Sequence, residues 1–210
     1  AILDALDGRI ARLIKGTSDF GKELDSLTDF VSFGIAPAFI LYFWELNNYG
    51  KLGWAITLIY SVCCVLRLAR FNLTKIEETE KWKNNFFEGI PSPAGGLLIL
   101  MPLIYELTSL NIGLEVKIIT PYFTIFIAIL LVSKIPTLAL KKISISPKAT
   151  VFLLLGIGII FIALLFYTLE TLLIFGIIYL ISIPVSLVLY SNQNKKNAAK
   201  ISEDNHEDIL

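Results

Sequence analysis

Four aspartates near the start of the chain have the spacing of a cation site. Asp4 and Asp7 are three residues apart, and Asp25 and Asp29 are four apart, so each pair lies on one face of a helix. Carboxylates without neighbouring His or Cys favour Mg²⁺ or Mn²⁺, with Ca²⁺ as an alternative, over zinc, copper or iron. Two divalent ions would balance the four negative charges, and a pair of ions suits chemistry on a diphosphate.

Small residues lie between the acids at helical spacing. Gly8 and Ala11 present no bulk beside the first acidic pair, so a flat ligand has room against the backbone, and Arg12 is placed to meet a phosphate. The stretch 15–18 (Lys-Gly-Thr-Ser) is typical of a turn. We therefore expect a helical hairpin in which the two acidic pairs converge.

The composition indicates that membrane helices position these acids. Apolar residues make up 55% of the 210-residue chain, charged residues only 17%, and the mean hydropathy is +0.72. A soluble domain carries about 25% charged residues. This composition, with formal charges that balance to zero, excludes a disordered chain, a nucleic-acid-binding domain and a disulfide-stapled secreted module. Cys63 and Cys64 are adjacent in an apolar run and are interpreted as packed or lipid-facing thiols.

The hydrophobic pattern predicts an all-α polytopic membrane bundle. A spanning helix needs about 20 apolar residues. Six segments qualify: 30–46, 52–72, 94–110, 118–135, 149–168 and 171–190. We expect the numbered chain to begin inside a truncated N-terminal helix, with further helical sequence upstream. Residues 1–190 form the predicted transmembrane domain and residues 191–210 a polar cytoplasmic tail that frays. Ser92 is predicted to cap the third segment, ahead of Pro93.

The basic residues predict the orientation of these spans. When the segments alternate across a bilayer, 16 of the 18 Lys and Arg residues fall on one side, and only Lys51 and Lys117 fall on the other. Such asymmetry is typical of the cytoplasmic side of a multi-pass protein. The acidic cluster lies on that side, so we expect the active site to face the cytoplasm from the cell membrane.

The acidic stretch resembles the signature of the CDP-alcohol phosphotransferase family. The family pattern DxxDGxxAR followed by GxxxDxxxD is met at Asp4, Asp7, Gly8, Ala11, Arg12, Gly21, Asp25 and Asp29. Residues 25–38, 67–72 and 87–93 further resemble its serine-using branch. The resemblance is dense over residues 1–96, and beyond them only the number and hydrophobicity of the helices agree.

The resemblance implies a reaction and a set of residue roles. A phosphatidyl group would pass from CDP-diacylglycerol, or from an archaeal CDP-ether lipid, to the hydroxyl of L-serine, with release of CMP. Asp4, Asp7, Asp25 and Asp29 would hold the metals, and Asp29 would also act as the base towards serine. The cytidine diphosphate would be bound by Asp4, Gly8, Ala11, Arg12 and Gly21. The resemblance also implies a homodimer.

Two arginines are candidates for binding the acceptor. Arg67 and Arg70 are three residues apart on one face at the inner end of the second span, with Asn72 close by. A guanidinium pair is suited to a carboxylate or a phosphate. We predict that both arginines, Asn72 and Ser92 bind serine or phosphate.

Other functions are compatible with parts of this pattern. A sister phosphotransferase that uses glycerol phosphate or inositol phosphate would carry the same core signature. An intramembrane prenyltransferase also places Asp clusters and Mg²⁺ on a diphosphate, but with different spacing. An ion-coupled transporter could bind cations through its acids; however, the chain has no internal repeat, and its acids cluster at one membrane face.

Overall fold

The computed structural model describes residues 19–73, 86–108, 113, 115–138 and 147–207. Their helices are α1 (Asp19–Asp29), α2 (Ala36–Trp44), α3 (Lys51–Leu73), α4 (Ser92–Ile99), α5 (Met101–Leu107), α6 (Val116–Val132), α7 (Pro147–Phe166) and α8 (Thr168–Glu207). A π-helical segment (Phe30–Ile35, the π-turn) joins α1 to α2, and a 3₁₀ turn (Leu46–Tyr49) follows α2. Two short strands, β1 (Phe86–Glu88) and β2 (Pro136–Leu138), complete the described elements. The predicted all-α membrane architecture is confirmed.

The first span runs through the π-turn without a break in helical backbone. Residues Glu23–Trp44 are long and apolar enough to cross a bilayer. Pro37 lies in the first turn of α2 and has no N–H, so it cannot donate to the carbonyl of Phe33. The widened π-turn accommodates this loss, and the hydroxyl of Tyr60 donates to Phe33 O at 3.0 Å. The first span and α3 are therefore tied together at the irregular turn.

The helix α3 lies at the centre of the bundle. It packs along α6 and also contacts the π-turn, α2 and the 3₁₀ turn. Tyr60, Leu98, Ile127 and Leu131 are fully buried between these elements. Close packing of apolar side chains therefore holds the helices that carry the candidate site.

The third predicted span differs from the prediction. Residues 94–110 were expected to form one helix, but the helix breaks at Leu100 into α4 and α5. Pro102 explains the break, because a proline in the first turn of α5 removes a backbone donor. The predicted cap is also wrong: Pro91 occupies the N-cap position, and the Ser92 side chain forms no capping bond.

The remaining predicted spans correspond to helices of unequal length. In the described part of the chain, three helices meet the length and composition of a span: Glu23–Trp44, Lys51–Asn72 and Thr168–Ser191. Val116–Val132 and Phe152–Phe166 are shorter apolar helices. The tail expected to fray instead continues α8 as far as Glu207. Its residues 191–207 contain neither Gly nor Pro, so nothing in this stretch interrupts the helix.

A small antiparallel ladder, which sequence analysis did not predict, fixes the approach to α4. β1 pairs with β2, with Phe87 opposite Thr137. Gly89 follows β1 with φ +72°, and a Cβ there would lie 2.7 Å from Ser133 O. Only glycine combines this backbone conformation with such a close approach. The ladder thereby holds the segment 89–92 against the end of α6.

The exterior of the bundle is apolar. Large side chains on α7 are strongly exposed, including Phe152 at 75% and Phe166 at 76%. Polar side chains such as Thr57, Thr120 and Thr124 are buried and donate to carbonyls of their own helices. An apolar surface of this extent is suited to lipid rather than to water.

Candidate active site

Two of the predicted metal ligands lie in the described part of α1. Asp25 and Asp29 are one helical turn apart, and Gly21 lies one turn before Asp25 on the same face. Asp25 is exposed and Asp29 is half-buried, where α1 meets the π-turn. The second half of the family signature, Gly21 to Asp29, therefore lies on one helix that continues into the first span.

The other predicted residues of the signature cannot be placed. Asp4, Asp7, Gly8, Ala11 and Arg12 lie outside the described residues. Their predicted convergence with the second acidic pair stays a prediction.

Arg67 occupies a buried position near this acidic face. It is only 9% exposed, and its Nε donates to Ile90 O at 3.1 Å. Its guanidinium carbon lies 5.1 Å from the centre of the Phe71 ring, one turn further along α3. Asp29 is within electrostatic reach of this guanidinium. A charge buried in a membrane helix is costly, so its retention here points to a polar partner or ligand.

The other predicted acceptor residues on α3 have local partners. Arg70 is half-buried, and its Nη1 donates to Val132 O at 2.7 Å, at the end of α6. Asn72 is exposed, and its Nδ2 donates to Ser26 Oγ at 2.9 Å. The arginines thus bind carbonyls of different segments, and Asn72 ties the end of α3 to α1 beside Asp25. Their predicted contacts with the acceptor stay predictions.

Two hydroxyls near Arg67 are buried without hydrogen-bond partners. Ser92 is fully buried with its Oγ beside the Cys64 thiol, and no hydrogen bond of good geometry reaches this Oγ from the described residues. The hydroxyl of Tyr179 on α8 is equally unpartnered and lies within electrostatic reach of Arg67. Thr137 Oγ1 lies next to Tyr179 but donates its own proton to Gly89 O at 2.8 Å. Sequence analysis had assigned Ser92 but not Tyr179.

The residues missed by sequence analysis left only weak signals. Pro37 implies a carbonyl that needs a donor other than the backbone, but nothing local identifies Tyr60 as that donor. Tyr179 is a tyrosine within an apolar span, and Thr137 lies in a loop that gave no strand signal. Each acquires its role from a residue distant in sequence.

The described acids are chemically suited to a hard divalent cation. Asp25 and Asp29 supply carboxylate oxygens on consecutive turns, the donor type that Mg²⁺ and Mn²⁺ prefer. Within the described ranges, no group of three or more His, Cys, Asp or Glu side chains is arranged to hold a metal. The donor set therefore fits part of a site, which the first acidic pair would complete.

The fold and this site define a helical integral membrane protein with an acidic motif at the end of a span. Residues 1–189 match the family model described as CDP-alcohol phosphatidyltransferase. The chain belongs to the CDP-alcohol phosphatidyltransferase family.

The chain is similar to several proteins named CDP-diacylglycerol–serine O-phosphatidyltransferase. It is 37% identical to one from Mycobacterium bovis over 161 residues, which cover 76% of this chain and 56% of that protein. A Helicobacter pylori protein is 33% identical over 200 residues, which cover 92% of this chain and 81% of that protein. One from Methanocaldococcus jannaschii is 44% identical over 100 residues, covering 47% of this chain and 44% of that protein. The chain thus spans only about half the length of the mycobacterial relatives.

Proposed function

We propose that this protein transfers a phosphatidyl group from CDP-diacylglycerol, or from an archaeal CDP-ether lipid, to the hydroxyl of L-serine and releases CMP. The observation that carries the proposal is that Asp29, from the family signature, lies within electrostatic reach of the buried Arg67, from the segment that resembles the serine-using branch. The names of the relatives support serine as the acceptor.

The reaction requires one bond to form and one to break at phosphorus. The serine hydroxyl oxygen attacks the phosphorus that carries the lipid, and the bond from this phosphorus to the CMP oxygen breaks. The proton of the serine hydroxyl passes to a carboxylate oxygen of Asp29, and CMP leaves with the bridging oxygen. A serine hydroxyl is a weak nucleophile, so a positioned base is worth about 10²–10⁴-fold in rate.

The acidic residues would hold the cations that accompany this reaction. Asp25 and Asp29, together with Asp4 and Asp7, would bind two Mg²⁺ or Mn²⁺ ions, with Ca²⁺ as an alternative. Such ions, when bound, offset negative charge on the diphosphate. Gly21, exposed on α1, leaves room for the nucleotide on the same face, and Asp4, Gly8, Ala11 and Arg12 would complete the nucleotide site.

The proposal places the active site at the cytoplasmic surface of the cell membrane, in a homodimer. The lysine and arginine asymmetry supports this orientation. Serine and cytidine nucleotides are then available to the site, while the lipid tails remain in the bilayer.

The deciding experiment is product identification with the full-length protein. Purified protein is incubated with CDP-diacylglycerol, Mn²⁺ or Mg²⁺, and serine, glycerol phosphate or inositol phosphate in parallel. We expect CMP release and a phosphatidylserine mass only with serine, and loss of both in excess chelator. A product with a phosphorylated acceptor instead of serine would overturn the proposal. Full activity in chelator would contradict the metal assignment alone.

A further inference from the structure

Two buried hydroxyls without partners lie in the same region of the bundle. Only three side-chain polar atoms in the described structure are buried and unpartnered, namely Ser92 Oγ, Tyr179 OH and Glu106 Oε2. The Glu106 atom belongs to a carboxylate whose other oxygen accepts from Lys117 Nζ at 3.0 Å. Each of the two hydroxyls adjoins only a weak or an already engaged neighbour: Ser92 Oγ lies beside the Cys64 thiol, and Tyr179 OH lies beside the Thr137 hydroxyl, which donates to Gly89 O. Folded proteins rarely leave such groups unsatisfied, and a bound ligand is one recognised explanation.

Both hydroxyls are connected to Arg67 through the segment 89–92. Ser92 is two residues beyond Ile90, whose carbonyl accepts from Arg67 Nε. Tyr179 lies beside Thr137, whose hydroxyl donates to Gly89 O in the same segment. We call Arg67, Ser92 and Tyr179 the guanidinium site. Its members come from α3, α4 and α8, so it exists only in the folded bundle.

The guanidinium retains donors for a ligand. Arg67 uses Nε for the carbonyl of Ile90, and its terminal nitrogens form no hydrogen bond within the described structure. A guanidinium presents a planar fork that matches a carboxylate through two parallel hydrogen bonds. Tyr179 lies within electrostatic reach of this fork, and Ser92 lies beside Cys64, which is also within its reach, so both hydroxyls can add donors for the same anion.

The charges around the site favour a zwitterion that carries one carboxylate and one ammonium group. Asp29 is within electrostatic reach of Arg67. A zwitterion would place its carboxylate at Arg67 and its ammonium towards Asp29, whereas a phosphorylated acceptor such as glycerol phosphate brings no cation to that side. A free amino acid has this charge pattern.

We propose that the guanidinium site binds the α-carboxylate of the acceptor amino acid, with the terminal nitrogens of Arg67 and the hydroxyls of Ser92 and Tyr179 as donors. The inference rests on the proposed serine transfer and assigns Tyr179 to acceptor specificity. Serine bound in this way has its ammonium and hydroxyl directed away from Arg67, on the side where Asp29 can take the hydroxyl proton.

The first test measures substrate dependence in Tyr179→Phe and Ser92→Ala. Each variant removes one donor to the carboxylate, so we expect the KM for serine to rise about tenfold. The KM for CDP-diacylglycerol should stay unchanged. The matched controls are Tyr122→Phe, whose side chain is 73% exposed, and Ser61→Ala, whose hydroxyl donates to Thr57 O. An unchanged KM for serine in both test variants would overturn the inference.

A second measurement separates ligand binding from a structural role. Because neither hydroxyl forms a hydrogen bond of good geometry with the described residues, Tyr179→Phe and Ser92→Ala should not lower Tm without serine. The rise in Tm on adding serine should shrink in both variants. A lower Tm without serine, combined with a normal KM for serine, would show a structural role and contradict the proposal.

A substrate analogue identifies the carboxylate as the recognised group. Serinol keeps the amine and a hydroxyl of serine but lacks the carboxylate. We expect the wild-type protein to prefer serine over serinol strongly, and Tyr179→Phe to lose part of this preference, because both changes remove the same interaction. Equal discrimination in the wild type and Tyr179→Phe would overturn the assignment of Tyr179.

The outcomes distinguish this inference from the proposed function. If the wild type releases CMP only with serine and the variants behave like their controls, the role of the guanidinium site is overturned. The proposed function then still stands. A wild type that ignores serine and uses a phosphorylated acceptor overturns both. Serine-dependent release with raised KM values in the two variants supports both.

Discussion

At the scale of single residues, the candidate chemistry depends on how charge is held near a membrane. Asp25 and Asp29 follow each other by one turn, and Arg67 is buried within electrostatic reach of Asp29. A carboxylate within electrostatic reach of a guanidinium lowers the cost of keeping that charge out of bulk water. In the proposed serine transfer, Asp29 would accept the proton and Arg67 would donate hydrogen bonds to the carboxylate of serine.

The role of Asp29 as base is tested by Asp29→Asn. An amide has nearly the same shape but cannot accept the serine proton, so we expect kcat to fall at least about 10²-fold. The control is Glu23→Gln, an exposed acid on α1 that lies outside the family pattern. CMP release is measured for both, and circular dichroism checks that each is folded. Near-normal turnover by Asp29→Asn would contradict the assignment.

At the scale of elements, the π-turn decides how the acidic face joins the bundle. Tyr60 satisfies the carbonyl that Pro37 leaves without a donor, and Gly34 and Gly96 let neighbouring elements approach closely. A Cβ on Gly96 would lie 3.2 Å from both Cα and O of Phe33. Because these are backbone atoms, they cannot turn aside as a flexible side chain would. The orientation of α1 thus depends on packing one turn beyond Asp29.

We expect Gly96→Ala to destabilise the protein by about 1–3 kcal/mol, the usual cost of overpacking. The matched control is Gly156→Ala on α7, where a Cβ would meet nothing within 4 Å. Alanine there should be neutral or stabilising by about 0.5–1 kcal/mol, since it is the better helix former. Thermal unfolding in detergent measures both. Equal Tm values for the two variants would show that the contact at Phe33 is not tight.

At the scale of the whole molecule, the bilayer acts as the solvent for the bundle. Large apolar side chains are exposed along α7, while buried threonines donate to carbonyls inside the bundle. Along the chain, β1 lies between α3 and α4, and β2 follows α6; the two strands pair as a short ladder. Irregular backbone of this kind is tolerated where protein covers it or where it leaves the hydrocarbon.

The orientation of the whole bundle is tested by cysteine labelling. Cys63 and Cys64 are replaced by Ala, and Lys117→Cys or Asn194→Cys then supplies one exposed thiol. A membrane-impermeant maleimide should label Lys117→Cys on intact cells, whereas Asn194→Cys should react only after lysis, because basic loops stay in the cytoplasm. The reverse pattern would overturn the proposed orientation. CMP release by the cysteine-free protein is the control for folding.

The sequence alone determined the features that depend on nearest neighbours and periodicity. The apolar runs predicted the helices, and the spacing of Gly21, Asp25 and Asp29 predicted a shared face on one of them. Pro102 accounts for the break at Leu100, but the apolar run around it led to the prediction of one continuous helix. Such features follow from local sterics and hydrophobicity, which act within a few residues.

Tertiary structure alone decided the partners of the polar groups. Arg67 could have bound lipid headgroups, but the fold brings it the carbonyl of Ile90. Tyr60 meets Phe33, and Tyr179 lies near Arg67, across long stretches of chain. These contacts depend on which helices pack together, and apolar helix faces carry little information about their neighbours, because lipid and apolar side chains are nearly equivalent surroundings.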